Sequence, residues 1–548
     1  VSFYQRKIVL VVIELTAKSN LFPWMLPFNA QVRDVIYSYI DYIKGMEDAV
    51  IDSWPIQRLR YILQLQMAHF VYPSATHTRF SHSLGVMHVS YKYVTYLVKG
   101  SLDFLSGSKH FTELTSRLKE LSLAARLLGL LHDIGHGPFS HAFDEYVYKT
   151  RDFLPLTVGN HEVVGYLIYR DYLRKRIDEA LKSSSKTLGV DAEYVLSILD
   201  EGMKPPFGMR EYTDLARNNT LSLDDFFIPR PEKALSTIIR LIVRDYIYTS
   251  DIIDYLKRDA YYTGLAIGEI NEEWVLRNTF IVDYHGLLAP SISGKAVDDL
   301  VRLLEARKLM YKNVYFHHVN IAFVETIGRL LKCIRSRITG ILQDMFSKGE
   351  WSSYVVLNDF NVYGLLHSLA MGKGGDLECE DKEFGRKALE SLFVTRKPVW
   401  KLLDRETLKL EDARVLFSPR FSREVKNKIR SEIVAELNSR FSNLQLSEDD
   451  VLTLYNKIDV FPSAGSEIVK NLLVVVVKDS KVLDYKEVSL SSFAQRHGLV
   501  PEAMVSVYLD RSKYKMLEES EIGEAREIVA NIINDLVKTG TSEAPETS

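Results

Sequence analysis

The chain has 548 residues, 46% of them hydrophobic, and its 69 Lys and Arg against 72 Asp and Glu leave a formal charge of -3. That length and make-up bury a large core and divide into two or three lobes, which excludes a linker or a fibre. The near-neutral balance also removes the basic excess that makes nucleic-acid binding a default expectation.

Along the chain, the run Ile8 to Ile13 follows Arg6 and Lys7 but is closed by Glu14, too soon for a signal-peptide core, and reads as a buried strand or short helix. No stretch approaches the roughly 18 uncharged apolar residues of a membrane span, so a soluble, cytoplasmic protein with no membrane partner is expected. Leu114 to Leu131 and Arg240 to Leu256 repeat apolar residues at three- and four-residue spacing and predict amphipathic helices. Loops are expected at Gly135 to Pro138, Lys204 to Gly208 and Gly372 to Gly375. Cys333 and Cys379 are the whole cysteine complement and lack CxxC spacing, which fits a reducing compartment and leaves any metal to His and carboxylates. Near the C-terminus, Leu472 to Val477 and Val482 to Val488 predict two strands joined by a turn. The expected fold is therefore mainly α, with a helical core over 1–330, a helical extension over 331–425, a smaller α+β lobe over 426–538 and a disordered polar tail over 539–548.

The chemistry concentrates early, since nine of the fourteen histidines lie between His69 and His161. Within that stretch Leu130-Leu131-His132-Asp133 sets two ionisable groups behind an apolar run, where they need partners or a metal to offset desolvation. His82 opens one helical stretch and Asp251 another, on which Asp251, Tyr255 and Asp259 fall at i, i+4 and i+8 on one face. Two imidazoles and two carboxylates make a borderline-to-hard ligand set suited to Fe, Mn, Zn, Ni or Mg.

His82, His132-Asp133 and Asp251 reproduce the H…HD…D signature, by which the chain resembles the HD-domain phosphohydrolases, a mostly helical fold with the metal at its centre. Gln57-Arg58-Leu59-Arg60-Tyr61-Ile62, His77 to Val86 and His132 to His141 are similar to the deoxynucleoside triphosphate triphosphohydrolases of the vertebrate SAM-and-HD-domain type. The likeness runs from about Val32 to about Leu517 and weakens past Ile334.

This resemblance implies cleavage of a dNTP to deoxynucleoside and inorganic triphosphate. It implies His82, His132, Asp133 and Asp251 as metal ligands, and His136, His141 and His161 as the histidines that contact the phosphates and protonate the leaving 5′ oxygen, with Asp144 orienting His141. Arg79 and Arg307 match phosphate-binding arginines, Tyr255 and Asp259 match residues at the sugar 3′-OH, and Gln64, Leu65 and Tyr315 match the wall that excludes a 2′-OH. Asp52, Gln57 and Arg60 match residues of an activator site for GTP or dGTP that drives homo-oligomer assembly, as dimer or tetramer. The stretch Ala30 to Asp34 lacks the Lys and Asn that complete that site. Ile252 stands where the family carries a phosphate-binding Lys, so one positive charge facing the triphosphate is either missing or supplied elsewhere, with Lys257 and Lys308 as candidates.

Two other readings stay open. One is an HD hydrolase of another phosphoester, such as a nucleoside monophosphate, a cyclic nucleotide or a signalling nucleotide. The other is a nucleic-acid-binding HD protein without turnover, against which the intact four-residue ligand set speaks.

Overall fold

In the computed structural model the described residues are 26–105, 110–154, 157–206, 221–284, 286–373, 375–418, 421–462, 470–478 and 481–543. The expected strand or helix at Ile8 to Ile13 lies outside them. Helices dominate, as the sequence predicts, and no helix among the described residues is long and apolar enough to cross a membrane.

An antiparallel hairpin, β1 (Ala30–Asp34) and β2 (Ser38–Tyr42), precedes the short α1 (Trp54–Arg58), which has proline in its first turn. The long α2 (Arg79–Leu105) then packs along α3 (Leu118–Leu131). The helix expected over 114–131 is broken at Arg117, and from Glu120 to Leu131 every residue is buried, so α3 is enclosed rather than amphipathic. Its one buried cation, Arg126, is satisfied by Glu47 at 2.6 and 2.9 Å. α4 (His161–Ile168) and α5 (Ala192–Met203) complete this layer.

The helix expected over 240–256 is also interrupted. A helix ending at Arg240 passes through a π-turn, Leu241–Asp245, and extended backbone at Tyr246 before α6 (Ser250–Thr263) begins. The Thr249 hydroxyl accepts from the Ile252 amide at 3.1 Å and starts α6 there, which puts Asp251 in its first turn. β3 (Thr279–Tyr284) and β4 (Leu287–Ser293) form an antiparallel pair, followed by α7 (Val297–Met310), α8 (His318–Lys332), α9 (Arg335–Lys348) and α10 (Asp359–Ala370).

The later elements that shape the two sheets and their packing are β5 (Trp400–Lys409), α11 (Ser422–Arg440), β6 (Val451–Ile458), β7 (Asn471–Lys478), β8 (Lys481–Ser489), β9 (Glu502–Asp510) and α12 (Glu519–Glu543). The two late strands pair as predicted but do not join the C-terminal lobe. β7 runs parallel to β4, with Ile292 opposite Val474, so the valine-rich hairpin completes a sheet ordered β3-β4-β7-β8. An isolated two-stranded pair is marginal, and the added strands supply the missing neighbours. The second sheet, β5-β9-β6, takes β5 from the stretch expected to be a helical extension. One face, with Val505, Val507 and Leu509, packs on α11 and α12, and the opposite face, with Tyr508 and Leu452, joins the main core.

Two expectations are corrected here. Cys333 and Cys379 form a disulfide. Residue 379 returns to the end of α8, where the Glu378 amide donates to the Cys333 carbonyl at 2.8 Å and the Ser336 amide donates to the Glu378 carboxylate at 3.0 Å. Cysteine spacing therefore gives no support for a reducing compartment. The tail expected to be disordered from 539 continues α12 as far as Glu543. Once a helix is nucleated, each added residue gains a hydrogen bond, so polar residues extend it.

Candidate functional site

α2, α3 and α6 bring side chains from three parts of the chain together: His82, His132 and Asp251 place one ligand-type atom each within 4.8 Å of one another, and Asp133 stands beside them. His82 lies in the first turns of α2, His132 and Asp133 lie at the end of α3, and Asp251 opens α6. His82 Nε2 is 3.0 Å from Asp251 Oδ1 and 3.8 Å from Asp133 Oδ2, while His132 Nε2 is 3.5 Å from Asp251 Oδ1 and 3.3 Å from Asp133 Oδ1.

The imidazoles are set for ligation. His132 Nδ1 donates to the Gly129 carbonyl at 2.8 Å, which leaves Nε2 as a lone pair with no hydrogen-bond partner among the described residues. His82 Nδ1 pairs with Asp254 Oδ2 at 2.8 Å, so its Nε2 also faces the carboxylates. The separations among His82, His132 and Asp251 fit a shared cation about 2 Å from each, while Asp133 meets the two imidazoles through different oxygens, one of them paired with Arg79. Ligand chemistry and geometry together fit a divalent metal.

The packing around the four residues is close. Gly85 of α2 sits against Asp254, where a Cβ would lie 1.9 Å from its carboxylate oxygen, and only glycine admits that approach. Arg258 then holds Asp254 through Nε at 2.9 Å and reaches Asp34 of β1 at 2.8 Å. The turn after α3 is fixed by Arg58, which donates to the Ile134 carbonyl at 3.0 Å and the His136 carbonyl at 2.5 Å, and by the Tyr354 hydroxyl, which donates to Gly135 at 2.8 Å. Farther along, Phe139 and Ser140 take left-handed φ of 59° and 54°. Asp359 of α10 secures that strained turn by accepting from the Phe139 amide at 2.7 Å and the Leu63 amide at 2.9 Å. Ser140 in turn accepts from Arg79 Nε at 2.8 Å, and Arg79 pairs directly with Asp133.

A second cluster adjoins the first. His136, His141, Asp144 and His161 place one ligand-type atom each within 4.8 Å of one another. Asp144 binds His161 Nδ1 at 2.6 Å and His141 Nδ1 at 3.3 Å, so the partner it holds most closely is His161 and not the expected His141. The His136 and His161 rings stack at 3.6 Å between centroids. Burial, Arg79 and His161 push His136 well below the usual imidazole range. Burial acts the same way on His161, but the charge and hydrogen bond of Asp144 prevail and raise it. Two stacked imidazoles are thus driven apart in basicity, one toward neutral and one toward charged.

Both clusters open into one cavity of about 610 Å³, lined also by Gln64, Leu65, Arg79, Tyr255, Asp259, Arg307 and Tyr315. Every candidate metal, catalytic and substrate residue except Asp144 reaches this lining; Asp144 stands behind His161. Asp259 is gripped on both oxygens, by His77 Nε2 at 2.8 Å and by the Tyr315 hydroxyl at 2.7 Å. Arg307 contacts the Tyr255 hydroxyl at 3.2 Å and the Asp459 carbonyl at 2.7 Å.

The replacement for the missing lysine is not where the sequence suggests. Lys257 pairs with Glu272 at 2.6 Å and Lys308 with Glu502 at 2.7 Å, and neither lines the cavity. Besides Arg79 and Arg307, the cavity is lined by a further cation, Arg244, paired with Glu162; its place in the π-turn before α6 carries no sequence signal. Asp254 is another residue that sequence reasoning missed, although its i+3 spacing from Asp251 signals a position beside the candidate ligands. Asp52, Gln57 and Arg60 lie outside the cavity. Arg60 Nε donates to Gln57 at 2.8 Å and stacks on Phe80, and no ion pair joins Asp52 to Arg60 among the described residues.

Residues 79–199 match the family model described as the HD domain. An uncharacterized protein of Methanocaldococcus jannaschii is 30% identical over 290 residues, which are 52% of this chain and 46% of that one. The human deoxynucleoside triphosphate triphosphohydrolase SAMHD1 is 39% identical over 294 residues, 53% of this chain and 42% of its own length. A homolog of that enzyme from Dictyostelium discoideum is 28% identical over 293 residues. The matched stretch thus spans about half the length of these curated relatives. A hypothetical protein from Aquifex aeolicus of known structure has a TM-score of 0.54 at 21% identity, covers 92% of this chain and 100% of its own, and shows likeness of fold alone. Residues 79–199 of this chain are therefore an HD domain, in a protein that resembles the deoxynucleoside triphosphate triphosphohydrolases.

Proposed function

We propose that the protein is a metal-dependent phosphohydrolase that cleaves a deoxynucleoside triphosphate to the deoxynucleoside and inorganic triphosphate. The observation that carries this reading is the meeting of His82, His132, Asp133 and Asp251 in a cavity that three arginines also face, Arg79, Arg244 and Arg307. His82, His132, Asp133 and Asp251 would hold a divalent cation, and such an ion would supply Lewis acidity to the phosphoryl group under attack.

The chain's own side chains do the rest. Arginines are permanently charged, multidentate donors, and a triphosphate is the polyanion that such a cluster suits. Water adds to the α-phosphorus, the bond to the 5′ oxygen breaks, and that oxygen takes a proton from the group formed by His136, His141 and His161, with Asp144 orienting His161. Asp259, fixed by His77 and Tyr315, faces the sugar with Tyr255, and Gln64, Leu65 and Tyr315 close the wall against a 2′-OH. A guanine-nucleotide activator site at Asp52, Gln57 and Arg60, with assembly into a homo-oligomer, belongs to the same proposal and rests on sequence resemblance. Added GTP then changes both turnover and sedimentation.

Product analysis tests the reaction. With Mn2+ or Mg2+, dATP and dGTP yield inorganic triphosphate and the deoxynucleoside. Release of orthophosphate or pyrophosphate instead marks cleavage of a phosphoanhydride bond and overturns the triphosphohydrolase reading.

A further inference from the structure

Where α7 passes into a second π-turn, Tyr311–Tyr315, the chain presents two faces with different partners. Arg307, Tyr311 and Tyr315 line the cavity. Lys308 and Lys312, one residue after Arg307 and Tyr311, meet a single carboxylate outside it. Their ammonium groups lie 2.7 Å from Glu502 Oε1 and 2.7 Å from Glu502 Oε2. Lys308 also donates to the Val500 carbonyl at 2.8 Å. Burial alone raises the Glu502 carboxyl, but the two ammonium groups prevail and hold it below its usual range, so it is charged at neutral pH.

Glu502 opens β9 and lies opposite Ile458, the last residue of β6. The two residues after Ile458 hold the arginine itself. Arg307 Nη1 donates to the Asp459 carbonyl at 2.7 Å and to the Val460 carbonyl at 3.4 Å. One corner of the C-terminal sheet therefore grips the end of α7 on two faces, by a carboxylate on the lysines and by carbonyls on Arg307. The same sheet holds the far end of the π-turn, where Arg405 donates to the Phe316 carbonyl at 2.9 Å and the Tyr508 hydroxyl donates to the His318 carbonyl at 3.1 Å.

Charge makes this grip matter for the cavity. Arg79 is paired with Asp133 and Arg244 with Glu162, so two of the three arginines already have anionic partners. Arg307 is held by carbonyls and the Tyr255 hydroxyl, and no carboxylate pairs with it among the described residues. Its charge is the one left for an anionic ligand. Successive helix positions lie about 100° apart, so fixing Lys308 and Lys312 on one face fixes the direction of Arg307 and Tyr311 on the next.

We infer that Glu502 is a positioning residue for substrate binding: by holding Lys308 and Lys312 it sets the rotation of α7 and its π-turn, and so keeps Arg307 turned toward the phosphates. The inference rests on the phosphohydrolase reading above and adds to it that the C-terminal sheet, outside the HD domain, governs how tightly the anion is held.

The test is a double-mutant cycle between Glu502 and Arg307, read as equilibrium binding of inorganic triphosphate to the full chain by calorimetry, with KM for dATP alongside. Glu502→Ala and the nearly isosteric Glu502→Gln both remove a negative charge, which by charge alone tightens the binding of an anion. Positioning predicts the opposite sign. Triphosphate binding is expected to weaken about tenfold or more in Glu502→Ala, and the same substitution to change it less than about twofold in an Arg307→Ala background, since the two residues act through one contact. Unchanged or tighter binding in both Glu502 variants overturns the inference. An equal loss in the two backgrounds, which a general weakening of the fold would give, also overturns it, as does a wild type that binds no triphosphate. Coupling without hydrolysis of any dNTP supports the positioning role and overturns the hydrolase, whereas hydrolysis without coupling does the reverse.

Discussion

Asp254 Oδ2 lies 2.8 Å from His82 Nδ1, and both side chains are almost wholly buried. The pair sets which imidazole nitrogen faces Asp251 and Asp133, and a carboxylate behind a ligating histidine also raises its basicity. Arg258 holds the same carboxylate from the other side, so the orientation of His82 is anchored through Asp254 to β1.

Asp254→Asn keeps the shape of that group and removes its charge. The expected result is a fall in metal affinity of about 10- to 100-fold, read by competition with a chelator, in a chain that still folds. Unchanged affinity would separate Asp254 from the metal centre.

Gly135 faces α4 so closely that a Cβ would lie 1.9 Å from the His161 carbonyl and 2.3 Å from the Gly165 amide. Both contacts are backbone and cannot swing aside. Gly135→Ala is expected to destabilise the protein by about 1–3 kcal/mol or more by forcing the segments apart. It also shifts His136 relative to His161, and turnover should drop about 100-fold, since small misplacements in a catalytic cluster cost that much. A thermal melt and a rate assay check the two effects separately, and a variant with wild-type melting and turnover contradicts the packing argument.

Burial pushes the Asp359 carboxyl up to about 7 from an ordinary 3.8, against the lowering effect of the two amides it accepts from. A raised carboxyl binds a proton in the folded state that the unfolded chain has lost. Its contribution is fully present below about pH 4 and disappears as pH rises through about 7. Asp359→Asn has no such titration. The stability difference between the two proteins, from urea melts at several pH values, should therefore move in favour of the variant from pH 4 to 7. A pH-independent difference would show that Asp359 titrates normally.

How much of this was legible in the sequence depends on what each feature rests on. The candidate metal-site residues were readable because His132-Asp133 after an apolar run, and the i, i+4, i+8 face of Asp251, Tyr255 and Asp259, express local chemistry and helical periodicity. Arg244 and Asp359 were not, because their places depend on a π-turn and on a helix more than 150 residues beyond the HD domain, neither of which has a local signature. The late strands were recognisable from their valines, but which sheet they complete is a tertiary choice. The bridge between Cys333 and Cys379 was hidden for the same reason, since spacing says nothing of a chain that folds back on itself.

Metal content, measured by elemental analysis on purified wild type beside His132→Ala and Asp251→Ala, tests the central claim most directly. The account predicts about one tightly held divalent ion per wild-type chain and its loss from both variants, with circular dichroism unchanged. Equal metal in all three proteins, or none in wild type after loading with Mn2+, Fe2+ or Zn2+, would contradict it.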